Sequence, residues 1–161
     1  MGTGKLVAKG KVEVTAADGT KKTVEGKHII IATGARSRKL PNIPQDGKQV
    51  IGYREAMTLP TQPKSMVVVG SGAIGSEFSY FYNALGTKVT LVEFMPNILP
   101  AEDEEVSKAM EKIFKKQGME VMTNSTVEKV ETSDKGCKVT IKTAKGTETV
   151  ECDVVLSAVG I

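Results

Sequence analysis

A chain of 161 residues is long enough for one domain with a substantial core and too short for two full ones. Its 22 basic and 19 acidic residues are spread along the sequence and leave a net charge of +3, so no basic run with interleaved aromatics marks a nucleic-acid partner. The longest apolar runs are far too short to span a bilayer, and no charged stretch followed by an apolar core opens the chain as a secretory signal would, so no membrane partner is expected.

Few rings (4% aromatic, no Trp) with abundant Val, Ile, Ala and Gly suit an α/β sheet. In chain order, residues 11–25 alternate through Val12 and Val14, turn at a glycine, and continue as a second strand. Residues 29–31 are an unbroken Ile run, which argues a strand covered on both faces. His28, the only histidine, has no carboxylate or cysteine partner nearby in sequence and reads as structural. Residues 35–64 hold four of the six prolines, with Arg36, Arg38 and Lys39, and read as an extended connector with one short helix within 52–59.

Residues 66–69 are a short buried strand that runs directly into GSGAIG at 70–75. A helix follows from Ser76 to Leu85 with Gly86 as its stop, and residues 88–92 form the next strand, ending on Glu93. A GxGxxG motif alone is weak evidence. Between a strand and a helix, with an acid 18 residues after the last glycine, it is the dinucleotide-binding arrangement. Gly70 makes the turn, Gly72 admits the pyrophosphate and Gly75 lets helix and strand pack, so the phosphates meet free N–H groups at the helix start. A carboxylate at Glu93 accepts hydrogen bonds from a ribose 2′-OH and repels a 2′-phosphate. No Arg lies between Gly70 and Ile161 to bind that phosphate in a bidentate manner, so NAD is favoured over NADP.

After an irregular loop, a helix spans about 102–117, with acids in its first turn and lysines in its last, as the helix dipole favours. Val106, Met110, Ile113 and Phe114 form one apolar stripe expected to face the sheet. Residues 119–122 give a third parallel strand, about 126–151 an antiparallel three-stranded region, and 154–156 a last buried strand. Cys137 and Cys152 match neither a redox nor a zinc spacing and read as structural thiols of a reducing compartment, which makes a cytoplasmic protein the expectation. No metal site and no catalytic residue is expected within the chain.

Residues 11–34 (KVEVTAADGTKKTVEGKHIIIATG) and 138–160 (KVTIKTAKGTETVECDVVLSAVG) resemble each other. The second copy is preceded by a complete nucleotide-binding start. The first is not, which suggests a piece of a longer protein with two nucleotide sites.

The segments IIIATG (29–34), VVVGSGAIGSE (67–77), LGTKVTLVEF (85–94), NILPAEDEE (97–105) and the closing Ala-Val-Gly at 158–160 together resemble the pyridine nucleotide-disulfide oxidoreductase family across essentially the whole chain. The closest likeness is to members that oxidise dihydrolipoamide. The resemblance implies a Rossmann-type parallel sheet with a three-stranded antiparallel β-meander (65–161), a connector (41–64), and a hairpin and strand segment from an FAD domain (1–40). It assigns Gly70, Ser71, Gly72, Ala73, Ile74 and Gly75 to the NAD pyrophosphate and Glu93 to the adenosine ribose. Glu77 would lie near the nicotinamide, with Val127 and Gly160 lining the rest. Gly4, Thr33, Gly34 and Ala35 match positions that touch FAD in intact members.

In those members electrons pass from dihydrolipoamide, carried on a lipoyl group of a 2-oxoacid dehydrogenase or glycine cleavage complex, through a disulfide and FAD to NAD, in a homodimer. The family's CxxxxC pair and His-Glu pair are not among the 161 residues, so the chain alone is expected to bind NAD without turnover. The alternatives are another member of the class, such as an NADH oxidase, a mercuric reductase or a ferredoxin reductase, and a stand-alone NADH-sensing module.

Overall fold

The computed structural model describes residues 1–161, which divide into two compact units, Met1–Ala35 and Arg36–Ile161. The first unit is a meander of β1 (Gly2–Ala8), β2 (Lys11–Ala16) and β3 (Lys21–Glu25), hydrogen-bonded in that order and antiparallel throughout. Alternation in β2 produces a strand of intermediate burial, as half-exposed hairpins require. The Ile run that follows differs from expectation: residues 29–31 form no strand and are exposed, Ile30 at 89%. An apolar run becomes a central strand only where other strands supply hydrogen-bond partners, and none pairs with it here. His28, read as structural, is also exposed.

The second unit is built on five parallel strands, β4 (Val50–Ile51), β5 (Ser65–Val69), β6 (Lys88–Val92), β7 (Glu120–Met122) and β11 (Val154–Ser157), in the order β4-β11-β5-β6-β7. Helices α1 (Tyr53–Ala56), α2 (Ala73–Ala84) and α3 (Glu104–Lys116) accompany it. A second meander comprises β8 (Thr126–Ser133), β9 (Gly136–Thr143) and β10 (Gly146–Cys152).

The unbroken apolar strands follow from this layering. Met66 and Val68 of β5 join one core with Tyr82, Phe114 and Leu156, whereas Val67 and Val69 join another with Val130, Val139 and Ile141 of the meander. Helices cover one face of the sheet and the meander the other, so neither side of β5 or β11 can be polar.

The proline-rich connector is more ordered than an extended linker. Oδ1 of Asp46 accepts from the N–H groups of Lys48, Gln49 and Val50 at 2.8–2.9 Å, which folds the turn that delivers β4 to the sheet edge beside β11. Burial works against that charge, but the three donors outweigh it and hold the Asp46 carboxyl below its usual value. Helix α1 occupies one turn of the region where a short helix was expected.

Helix α3 begins with Asp103 accepting from the Glu105 N–H at 2.8 Å. Its apolar stripe is narrower than the sequence suggested. Ser107 and Phe114 are buried and Met110 is half-buried, but Val106 and Ile113 are 49% and 45% exposed. A seven-residue step returns to the same side of a helix, so Ser107 and Phe114 define the buried line and Val106 and Ile113 fall just outside it. No helix is long and apolar enough to cross a membrane.

Cys137 and Cys152, 15 residues apart in sequence, stand opposite each other on β9 and β10. Both thiols are free and buried. The S–H of Cys137 reaches the carbonyls of Gln49 and Asp153 at 3.7 and 3.9 Å. The hydrogen bond between the two thiols lowers the Cys137 pKa and, with burial, pushes the Cys152 pKa up, so Cys152 stays protonated and Cys137 is kept from reagents by its burial. In the folded chain neither thiol is expected to react with Ellman's reagent within minutes, whereas denaturation should release both. Rapid labelling under native conditions would contradict this packing.

Candidate functional site

The chain leaves β5 at Gly70, whose φ of +94° is costly for any residue with a side chain. A Cβ there would also stand 2.6 Å from the Ala158 carbonyl at the end of β11. Gly75, on the first turn of α2, is excluded from change by contact alone, since a Cβ would overlap the carbonyl of Gly70. Gly72 is the opposite case. Nothing lies within 4 Å of where its Cβ would be, and no side chain caps the helix there. The first N–H groups of α2 therefore face open space, without internal partners, at the positive end of the helix dipole.

That space is a cavity of about 710 Å³ along the C-terminal ends of β6, β5 and β11. Strand order reverses between β5 and β11, because β5, β6 and β7 progress one way while β11 returns on the other side. A crevice at such a reversal is where open α/β sheets take ligands. Gly70, Ser71, Gly72, Ala73 and Ile74 line it, as do Glu93, Val127 and Gly160. The structure thus brings together eight of the ten residues assigned to NAD. Gly75 packs behind the loop, and Glu77 is exposed on α2 away from the cavity lining. Gly4, paired with Val14 in β1, and the exposed Thr33, Gly34 and Ala35 belong to the first unit.

Glu93 is only 3% exposed, and its carboxylate is already engaged. Oε2 accepts from the Ser71 N–H at 2.8 Å and the Ser71 hydroxyl at 2.6 Å, and Oε1 accepts from the Met95 N–H at 2.9 Å. The acid that the sequence assigns to a ribose is thus also the clasp that holds the glycine loop. Oε1 retains acceptor capacity, since one hydrogen bond leaves a lone pair free.

Four lining residues come from the connector: Arg38, Leu40, Asn42 and Ile43. The Asn42 amide donates to the carbonyls of Val127 and Glu128 at 2.9 and 3.3 Å, and the Arg38 N–H donates to the Gly160 carbonyl at 2.9 Å. Arg38 therefore lines the cavity although it precedes the glycine motif, because the connector folds back onto β8 and the end of β11. The cluster of Arg36, Arg38 and Lys39 beside Pro41 was the available signal.

A family model described as pyridine nucleotide-disulphide oxidoreductase matches residues 1–161. The chain belongs to that family. It is 44% identical over 150 residues to a dihydrolipoyl dehydrogenase of Zymomonas mobilis, covering 93% of this chain and 32% of that protein. It is 38% identical over 161 residues to dihydrolipoyl dehydrogenase 1, mitochondrial, of Arabidopsis thaliana, covering 99% of this chain and 32% of that one. Among solved structures it is similar to LpdA from Mycobacterium tuberculosis, at a TM-score of 0.83 and 32% identity over 99% of this chain and 35% of that chain. The chain thus spans about a third of the length of the curated relatives it matches. The family uses FAD and NAD(P). The cavity fits the second of these: its size suits a nucleotide, Gly72 leaves room for a phosphate, and the α2 start is uncapped.

Removing Glu93 strands three donors around the loop. Glu93→Ala should therefore cost about 3 kcal/mol, and Ser71→Ala, which deletes only the hydroxyl bond, about 1 kcal/mol. Urea midpoints check this ranking, and equal midpoints for the two variants would contradict the clasp.

Proposed function

We propose that the second unit binds NAD(H) and that the chain serves a dihydrolipoyl dehydrogenase, a flavoenzyme that oxidises dihydrolipoamide and reduces NAD through a redox disulfide and FAD. The observation that carries the nucleotide reading is Glu93, buried at the end of β6 and joined to the glycine loop through Ser71. Identity of 44% and 42% to bacterial dihydrolipoyl dehydrogenases, against 40% and 38% to leghemoglobin reductases, supports this parent.

When bound, NAD supplies a hydride acceptor at its nicotinamide. The residues of this chain bind and orient. Glu93 offers Oε1 to the adenosine ribose hydroxyls, and its charge disfavours a 2′-phosphate at the same place. The α2 start would hold the diphosphate, and the apolar wall of Val127 and Val159 would shield the other half from water. The intact enzyme, on this reading, is a homodimer whose substrate is dihydrolipoamide on the lipoyl carrier of a 2-oxoacid dehydrogenase or glycine cleavage complex.

Titration of the 161-residue chain with NADH and NADPH, followed by nucleotide fluorescence, tests the cofactor assignment. NADH should bind at least about tenfold more tightly, the discrimination expected from one like-charge contact worth about 1.4 kcal/mol. Equal affinities, or a preference for NADPH, would overturn it.

A further inference from the structure

Arg38 is the only lysine, arginine or histidine that lines the cavity. Its backbone is pinned just past the end of β11 by the bond to the Gly160 carbonyl at 2.9 Å, so its side chain starts from the segment that packs beside the Gly70 turn. None of the five ion pairs of the chain involves it. The cavity's one acidic lining residue, Glu93, is committed to Ser71 and Met95 at the end of β6. β6 and β11 are separated by β5, which places the two charges about two strand spacings, or about 10 Å, apart at their roots.

Arg38 is exposed and outside every ion pair, so its guanidinium is available to an anion at the cavity, and the distribution of charge says which one. A 2′-phosphate would lie at the Glu93 end. The bridging diphosphate would lie between the two ends, over Gly70 and Gly72, on the cavity that Arg38 also lines. We propose that Arg38 binds the diphosphate of NAD(H) from the β11 side of the crevice, with bidentate charge-assisted hydrogen bonds. The inference rests on the nucleotide reading above and adds to it a residue that lies 32 positions before the glycine motif. Its role is affinity and orientation of the dinucleotide, with no part in choosing NAD over NADP.

The test is NADH titration of the wild-type chain, Arg38→Ala and Arg38→Lys at low and high salt, with inorganic pyrophosphate as competitor and thermal melting as a folding control. Wild-type chain should bind NADH with an affinity that falls with salt, and pyrophosphate should displace the nucleotide. Arg38→Ala should bind NADH about tenfold more weakly, as expected for loss of hydrogen bonds between charged partners. It should also lose most of the salt dependence and the pyrophosphate competition, with the NADH to NADPH ratio and the melting temperature unchanged. Arg38→Lys should keep the salt dependence and recover part of the affinity, because it restores the charge without the fork. Wild-type binding with an unaltered Arg38→Ala affinity overturns the Arg38 role alone. Absence of NADH binding by the wild-type chain overturns the nucleotide reading and the inference with it.

Discussion

Ser71 and Glu93 hold each other in the buried floor of the crevice, and the geometry of the second unit is organised around that pair. Ser71 gives its N–H and hydroxyl to the carboxylate, and its carbonyl receives the Ser76 hydroxyl and the Leu99 N–H at 2.9 and 3.0 Å. One small residue therefore ties the end of β6, the first turn of α2 and the loop that leads to α3. A buried carboxylate without such donors would cost several kcal/mol, so the three N–H and O–H groups must stay where they are. That requirement fixes the loop and leaves the uncapped N–H groups of α2 facing the cavity.

The sheet places the clasp where a ligand can use it. Two apolar layers, one of helices and one of meander strands, bury β5 and β11 on both faces, and only the strand ends remain open. The reversal between β5 and β11 then splits the layers enough to leave the cavity. The connector closes its remaining side through Asn42 and Arg38, held by hydrogen bonds to β8 and to Gly160.

Much of this was legible in the sequence because short-range rules governed it. The β5-turn-α2-β6 unit follows from the spacing of three glycines and an acid, and the β2-β3 hairpin and the second meander follow from alternation and glycine turns, whereas β1 was not legible from the pattern. What escaped depended on partners distant in the chain. Residues 29–31 carry the same apolar pattern as β11, yet only β11 has β4 and β5 beside it. Val106 and Ile113 share a helix with Phe114 but lie off the line that the sheet covers. Cys137 and Cys152 meet only because β9 and β10 pair in one register. Arg38 enters the cavity only because the connector folds back, which no window starting at Gly70 contains. The Glu93 clasp was half visible: the acid could be assigned to a ribose from its position, but its bonds to Ser71 and Met95 required the folded loop.

The most direct test of the dinucleotide site is a backbone amide NMR titration of the chain with NADH. Binding should shift the amides of residues 70–75, together with Met95, Val127 and Gly160, in a single saturable process. Shifts absent from Ser71 and Gly72, or concentrated within Met1–Ala35, would contradict a nucleotide site built on the Glu93 clasp.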